Sequence, residues 1–452
     1  MSRWMPFIIL GVFFFTPMLF ADDTIRVGTF DVDASPPIGA PLAYDTTIGV
    51  DTPLTCRGIV ILGSDDPIVL CSVDWIGIAN GGQTEFKAAL AEAVGSTPDR
   101  VAVHTVHQHD APKCDFSADA LLEEHGLSGI GFDVEHARSV IRAAAKAVET
   151  ACENALPVTH VGLGAGTVEC VASNRRILGP DGKVLHTRWT ASGDPVIRAF
   201  PVGTIDPKLK MISFWNDNEP IVALTYYACH PQSYYRTGLA NPDFPGLARN
   251  ARQDATGTPH IHFNGAGGNL GAGKWNDGAH ENRQVLADRV AEGMRLAWDG
   301  TERTPLSPEG VAWSTAPVAM PLAEHLNDAD LLATVEDKNA TPESRWQAAK
   351  KLAWVRRCNQ GETIDLSCLS LNEARLLHMP GELLIEYQLA AQEMQPDLFT
   401  AMAAYGEYAP GYIATEIAYS QGGYEASPDA SCTAPGVEKV LLDGLHQLLD
   451  AE

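Results

Sequence analysis

Short runs of almost unbroken apolar residues, each ending abruptly in polar side chains, most constrain how this chain can fold. Residues 58–78 (GIVILGSDDPIVLCSVDWIGI) read as two strands around a Ser-Asp-Asp-Pro turn. RVAVHTVHQHDAP (100–112) reads as a short buried strand with a polar C-terminal end, and 221–229 as another that stops at His230. Strands apolar on both faces belong in sheets covered on both sides. Segments with helical spacing separate them, over 83–94, 134–155 and 281–298. Residues 328–357 also read as helical, with the alternating charges of a solvated face. This order predicts an α/β fold, a single large domain with mixed sheets flanked by helices. The chain shows no repeat, low-complexity tract or linker.

Charge narrows the range of partners. The chain carries 57 acidic against 32 basic residues, a net of −25, and such a surface repels phosphate backbones and anionic head groups. Nucleic acid is therefore not an expected partner. At the N-terminus, Arg3 precedes an apolar run over 4–20, followed by Ala21 and the acidic Asp22-Asp23. That is the layout of a signal peptide covering 1–21, with a mature domain of 22–452 exported to the periplasm or the medium. A retained membrane anchor is the alternative, although the run contains Pro6 and Pro17 and is at the short limit for a span. No later stretch is long and apolar enough to predict a membrane span. Nine cysteines leave at least one unpaired, and no CxxC occurs. Cys358 and Cys368 are near enough in sequence to bridge, while most others lie in apolar stretches and read as buried small hydrophobes.

Five segments carry residues suited to chemistry. His104, His107 and His109 follow an apolar strand, and in an extended chain residues two apart point the same way, so His107 and His109 can face one cleft. They read either as metal ligands or as buried, hydrogen-bonded histidines. His230 ends the 221–229 strand, and Pro231 favours an extended conformation for it and stops the ladder. Two strand-end histidines far apart in sequence suit the split ligand sets of catalytic zinc. FNGAGGNLGAGKWNDG (263–278) contains G-x-x-x-x-G-K, but Trp275 stands where a nucleotide-binding loop needs Ser or Thr, so its glycines read as letting the backbone pass close to a ligand or bend sharply. Glu382 follows Pro380-Gly381 and can project into a cleft as a ligand or base. Tyr405, Tyr408, Tyr412, Tyr419 and Tyr424 crowd one stretch and offer rigid, amphipathic contact area.

In this order the five segments resemble the catalytic domain of the neutral (non-lysosomal) ceramidase family. FDVDASPPIG (30–39) is a close variant of the family's D-[IV]-T-P-P-x-G opening, and Val106 to Pro112 resembles its T-H-T-H-S-G-P motif. Asn174-Arg175 resembles its N-R pair, His230-Pro231 its H-P segment, and Glu382 its P-G-E ligand. Gly411 to Thr415 followed by Tyr424-Glu425 reproduces a spacing of 12 residues between a zinc-binding tyrosine and a second tyrosine. The resemblance implies Zn2+ held by His107, His230, Glu382 and Tyr412. It also implies His109 at the reaction centre, Arg175 lining the site, and Tyr424 as a further donor.

The implied activity is zinc-dependent hydrolysis of a small-molecule or lipid-like N-acyl amide, ceramide-like or smaller, by an activated water. Ester hydrolysis and non-catalytic ligand binding on the same scaffold are the alternatives. No G-x-S-x-G elbow occurs, which disfavours a serine hydrolase. Two departures bear on the substrate. Where ceramidases carry a serine assigned as catalytic this chain has Gly271, with Asn269 and Ala272 replacing the neighbouring aspartate and proline. The chain also lacks a counterpart of the family's C-terminal immunoglobulin-like domain.

Overall fold

The computed structural model describes residues 24–63 and 65–450, so the signal segment 1–21 lies outside the described residues. Three sheets form the framework, and each follows the same plan. In the first, β1 (Arg26–Asp33), β2 (Thr55–Leu62) and β3 (Ile68–Val73) run antiparallel, and β4 (Val101–Thr105) returns parallel to β3. The second repeats this with β5 (His160–Thr167), β6 (Lys208–Asn216), β7 (Glu219–Tyr227) and a parallel β8 (His260–Asn264). The third has β9 (Val311–Val318), β10 (Ile364–Leu371), β11 (Ala374–His378) and a parallel β12 (Phe399–Ala403). A helix makes each parallel crossover: α1 (Gly81–Val94), α2 (Asp243–Thr256) and α3 (Ile385–Met394). The α/β class with mixed sheets and flanking helices is as expected.

The continuous apolar runs are explained by a core common to all three sheets. Val27, Ile59 and Leu70 of the first meet Phe214, Leu224 and Phe263 of the second and Leu369, Leu376 and Ala401 of the third. Strand β8 packs against β3, β4 and β12. The parallel edges of the three sheets therefore converge, and the loops leaving their C-terminal ends open towards one region. In α/β sheets that is where ligands bind.

Two readings of the sequence need correction. Residues 328–357 are not one helix but two, Asp328–Glu336 and Pro342–Asn359. Asp337 turns to an extended conformation, and Thr341 caps the second helix by accepting from the Ser344 N–H, with Pro342 in its first turn. Charge alternation marks a solvated face but is blind to this break. Cys358 and Cys368 are both free thiols: the first is half-buried on a helix, the second fully buried in the middle of β10. The other expectation for the cysteines holds, with Cys56, Cys71, Cys114, Cys229 and Cys432 all buried. No helix among the described residues is long and apolar enough to cross a membrane.

One buried ion pair ties the first sheet to the second. Arg249 of α2 donates from both terminal nitrogens to Asp74, just past β3, at 2.8 and 2.9 Å, and both side chains are wholly buried. Asp74 also accepts from the Thr55 N–H and hydroxyl. Burial works to raise the Asp74 pKa, but the charge and hydrogen bonds of Arg249, with Arg57 and Thr55, together outweigh it and hold the carboxyl below its usual range. Replacing Asp74 by Asn leaves Arg249 buried and uncompensated. Asp74→Asn is expected to cost about 3–5 kcal/mol in urea unfolding, and a loss below about 1 kcal/mol would contradict this role.

Candidate metal centre

The loops at the C-terminal ends of β4, β7 and β11 each deliver one buried side chain to a common point. His107 comes two residues after β4, His230 three after β7 and Glu382 four after β11. The route to His107 differs from the extended chain expected. Its φ is 73°, in the left-handed region that β-carbon-bearing residues rarely adopt. The turn is held by the Val106 N–H bonding Val73 O and the His107 N–H bonding Trp75 O, at 2.9 and 3.0 Å. His107 and His109 still meet, with ring centroids 5.2 Å apart. His230 also lies beyond its strand rather than at its end, because the parallel pairing with β8 stops at Tyr227.

Glu382 is placed by two glycines. Gly381 turns with φ 56°, and Gly268 of the glycine-rich loop donates its N–H to Leu383 O at 2.8 Å. A β-carbon at Gly268 would sit 2.5 Å from Glu382 O, so the close approach the loop makes here is to the chain's own backbone. Lys274 turns away and bonds the Arg198 and Phe200 carbonyls. Glu382 pairs with Tyr412 in a two-residue parallel ladder, which sets those two residues side by side.

The hydrogen bonding around these atoms is incomplete in an informative way. His107 Nδ1–H donates to Ile76 O at 2.5 Å, which leaves the Nε2 lone pair facing Glu382 Oε2 at 3.3 Å. His230 Nδ1 lies 3.8 Å from the same oxygen. All three of these atoms are buried without a hydrogen-bond partner. Two acceptors facing each other in a buried site repel, and a cation between them removes the conflict. The donor set of imidazole nitrogen and carboxylate oxygen suits zinc. His107, His109 and His230 also offer ligand atoms within 4.8 Å of one another, so this buried group could hold a metal ion. Burial, the largest cause, pulls the His109 and His230 pKa values well below the usual range, which keeps these two rings neutral.

All seven residues expected at the site line one cleft of about 660 Å³. His109 Nε2 lies 2.8 Å from His230 Nε2, and its Nδ1 lies 3.0 Å from the side-chain amide of Gln232. Arg175 is buried, donates to the Tyr412 hydroxyl at 3.1 Å and lies 3.4 Å from Glu425. Burial opposes its charge, but Tyr412 and Glu425 more than offset that, and its pKa is raised. Tyr424 sits at the mouth, 40% exposed, with its ring against Tyr412 and Trp189. His104 is not part of the site, since it donates to Ala404 O and pairs with His378 in the interior.

Several further residues stand at the centre beside the seven expected there. Tyr408 donates to Glu382 Oε1 at 2.7 Å, and Tyr405 stacks on His107 with centroids 4.5 Å apart. Both belong to the tyrosine-rich stretch, which was the available signal. Tyr44 stacks on His109 at 5.4 Å, and Gln232 bridges His109 to Thr190, with no sequence signal for either. A β-carbon at Gly271 would meet Thr190 Cγ2 at 2.9 Å, so Thr190 occupies space that a side chain at 271 would need.

No protein-family profile and no curated protein sequence matches the chain. Among solved structures, it is similar to a ceramidase complexed with C2, with a TM-score of 0.67 and 16% identity over 95% of this chain and 76% of that one. It is equally similar to the neutral ceramidase of Pseudomonas aeruginosa, with a TM-score of 0.65, 16% identity, and 95% and 75% of the two chains covered. At that identity the likeness is one of fold, and it agrees with the resemblance read from the motifs.

The close approach at Gly268 has a measurable consequence. Gly268→Ala is expected to lower stability by about 1–3 kcal/mol in urea unfolding, because only backbone movement at Glu382 and Leu383 relieves the clash. Gly193→Ala, where nothing lies within 4 Å of the new carbon, is expected to change it by less than about 0.5 kcal/mol. Equal effects at the two positions would contradict the packing described.

Proposed function

We propose that this protein is a metal-dependent amide hydrolase that binds one zinc ion through His107, His230, Glu382 and Tyr412. The observation that carries the reading is the convergence of three buried, unpartnered ligand atoms, His107 Nε2, His230 Nδ1 and Glu382 Oε2, on the floor of the cleft. The ceramidase-like fold and the order of the motifs support it. Glu382 is preferred to His109 as a ligand because His109 Nε2 already faces His230 Nε2. The reading takes the mature chain, without residues 1–21, to act outside the cytoplasm.

The overall reaction adds water across the amide: the C–N bond breaks, the acyl half leaves as a carboxylate, and the nitrogen takes a proton to leave as an amine. A bound zinc ion supplies Lewis-acid polarisation and a nucleophilic water at neutral pH. The chain's own residues do the rest. Glu382 is held by the Tyr408 hydroxyl on its second oxygen, which fixes the carboxylate. Arg175, permanently charged and pinned by Glu425, stands over the Tyr412 ring to stabilise the developing oxyanion. One such donor contributes about 3 kcal/mol. His109, anchored by Gln232 and stacked by Tyr44, is oriented to exchange a proton with the reacting group. None of these roles needs a hydroxyl at Gly271.

Metal analysis of purified protein is expected to find one zinc per chain. His107→Ala and Glu382→Gln are expected to lose the metal. His109→Ala is expected to keep it while kcat on an N-acyl amide falls at least about 100-fold. A metal-free wild type, or metal lost by His109→Ala but kept by Glu382→Gln, would overturn the assignment.

A further inference from the structure

The cleft that contains the histidines is unusual in what it lacks. Among the described residues lining it there is no Leu, Ile, Val, Met or Phe, although a long acyl chain would require an aliphatic wall. Its lining is aromatic and cationic, with Arg175, Arg236, Lys350 and Lys351 against Glu382, Asp115 and Asp429. That balance is opposite in sign to a chain with a net charge of −25. Four cationic against three acidic side chains line it, and cations in a cleft raise the local concentration of anionic ligands.

The cationic end continues into a side chamber of about 80 Å³ that shares Tyr44, Asp115, Lys350 and Tyr408 with the main cleft and adds Lys113. Lys113 and Lys350 are half-buried, and among the described residues neither ammonium forms an ion pair. Lys350 Nζ reaches the Gln347 side-chain oxygen at 3.3 Å, and Lys113 Nζ lies over the Trp346 ring at 5.2 Å. The carboxylate facing them is Asp115, whose two oxygens accept from Asn80 and the Ala118 N–H at 2.7 and 3.0 Å. Its burial raises its pKa to about 7, which weakens it as a counter-charge. Glu343 is exposed on the helix of Lys350. Burial lowers the pKa of both lysines, that of Lys113 to about 8 with repulsion from Lys350 as the second cause. Two neighbouring ammonium groups with no carboxylate within ion-pair distance among the described residues, in a chamber with room for a small group, form an anion-binding arrangement.

The chamber is also close to the chemistry. Tyr44, which lines it, stacks directly on His109, and Tyr408, which lines it too, bonds Glu382. One tyrosine ring therefore separates the chamber from the buried histidines.

We propose that the substrate is an amide bearing a carboxylate a few bonds from the scissile carbonyl, and that Lys113 and Lys350 bind this carboxylate in the side chamber. This rests on the amide-hydrolase reading above and narrows its substrate from a neutral lipid amide to an anionic one. Three probes of similar length test it on the zinc-loaded protein. N-hexanoylglycine carries the carboxylate on the amine half, N-hexylsuccinamic acid on the acyl half, and N-hexanoylethanolamine carries none. At least one anionic amide is expected to exceed the neutral one about tenfold or more in kcat/KM. Lys350→Gln and Lys113→Gln are each expected to bring that ratio close to one, and Lys350→Arg to retain most of it. A wild-type ratio near or below one for both anionic probes, or a ratio unchanged in both Gln variants, overturns the proposal. If no probe is hydrolysed the amidase reading fails, and calorimetry with the same anionic amides decides the chamber separately. Binding lost in Lys350→Gln supports the subsite, and no binding to wild type overturns it.

Discussion

A carboxylate removed from water needs compensation, and at Glu382 the hydrogen bonding is divided unevenly between the two oxygens. One of its oxygens accepts from Tyr408, while the other faces His107 and His230 without a hydrogen bond. With the Nδ1 proton committed to Ile76 O, the neutral His107 ring turns its Nε2 lone pair towards Glu382. A pair of acceptors held together in this way costs several kcal/mol unless a cation joins them. Much of the surrounding structure serves to maintain that arrangement. The left-handed turn at His107, the Gly268 contact behind Glu382 and the Arg175 bond to Tyr412 all hold ligand-bearing residues in place.

The fold supplies this convergence through repetition of a simple plan. Each sheet is an antiparallel run closed by one parallel strand, and the three parallel edges share the core around β8. The loops that leave them therefore meet at one end of the molecule, so residues 107, 230 and 382 become neighbours. Asp74 and Arg249 lock two of the sheets together next to the His107 turn, which couples the stability of the framework to the geometry of the centre. The same junction opens into a cleft with aromatic walls and cationic residues, and its lining limits what can be bound there.

Much of the framework was legible in the sequence because its signals are local. The two strands in 58–78, the strand before His104, and the helices at 83–94, 134–155 and 281–298 all appear where apolar periodicity put them. The motifs brought the seven site residues to one cleft in the resemblance, and they do line one cleft. What was hidden depends on contacts between distant segments. The contact of Gln232 with His109 and that of Tyr44 with the same ring join residues with no shared pattern. The φ of His107 follows from hydrogen bonds to the chain around Val73 and Trp75, which the i, i+2 rule for extended strands does not include. The break after Glu336 depends on a capping threonine that charge alternation does not register.

Gly271 also reads differently in three dimensions. The position pairs with Ser173 in a short ladder, and the space beside it is taken by Thr190, whose hydroxyl contacts Gln232 rather than the cleft floor. The space a side chain at 271 would need is thus filled by Thr190, and the three unpartnered atoms converge without any group from this position. The most direct test of the account is an anomalous difference map at the zinc absorption edge from a crystal of the purified protein. It should show a single ion about 2.0–2.2 Å from His107 Nε2, His230 Nδ1 and Glu382 Oε2, with Tyr412 beside it. A map without such a peak, or with the ion held by His109 while Glu382 stands apart, would contradict the central claim.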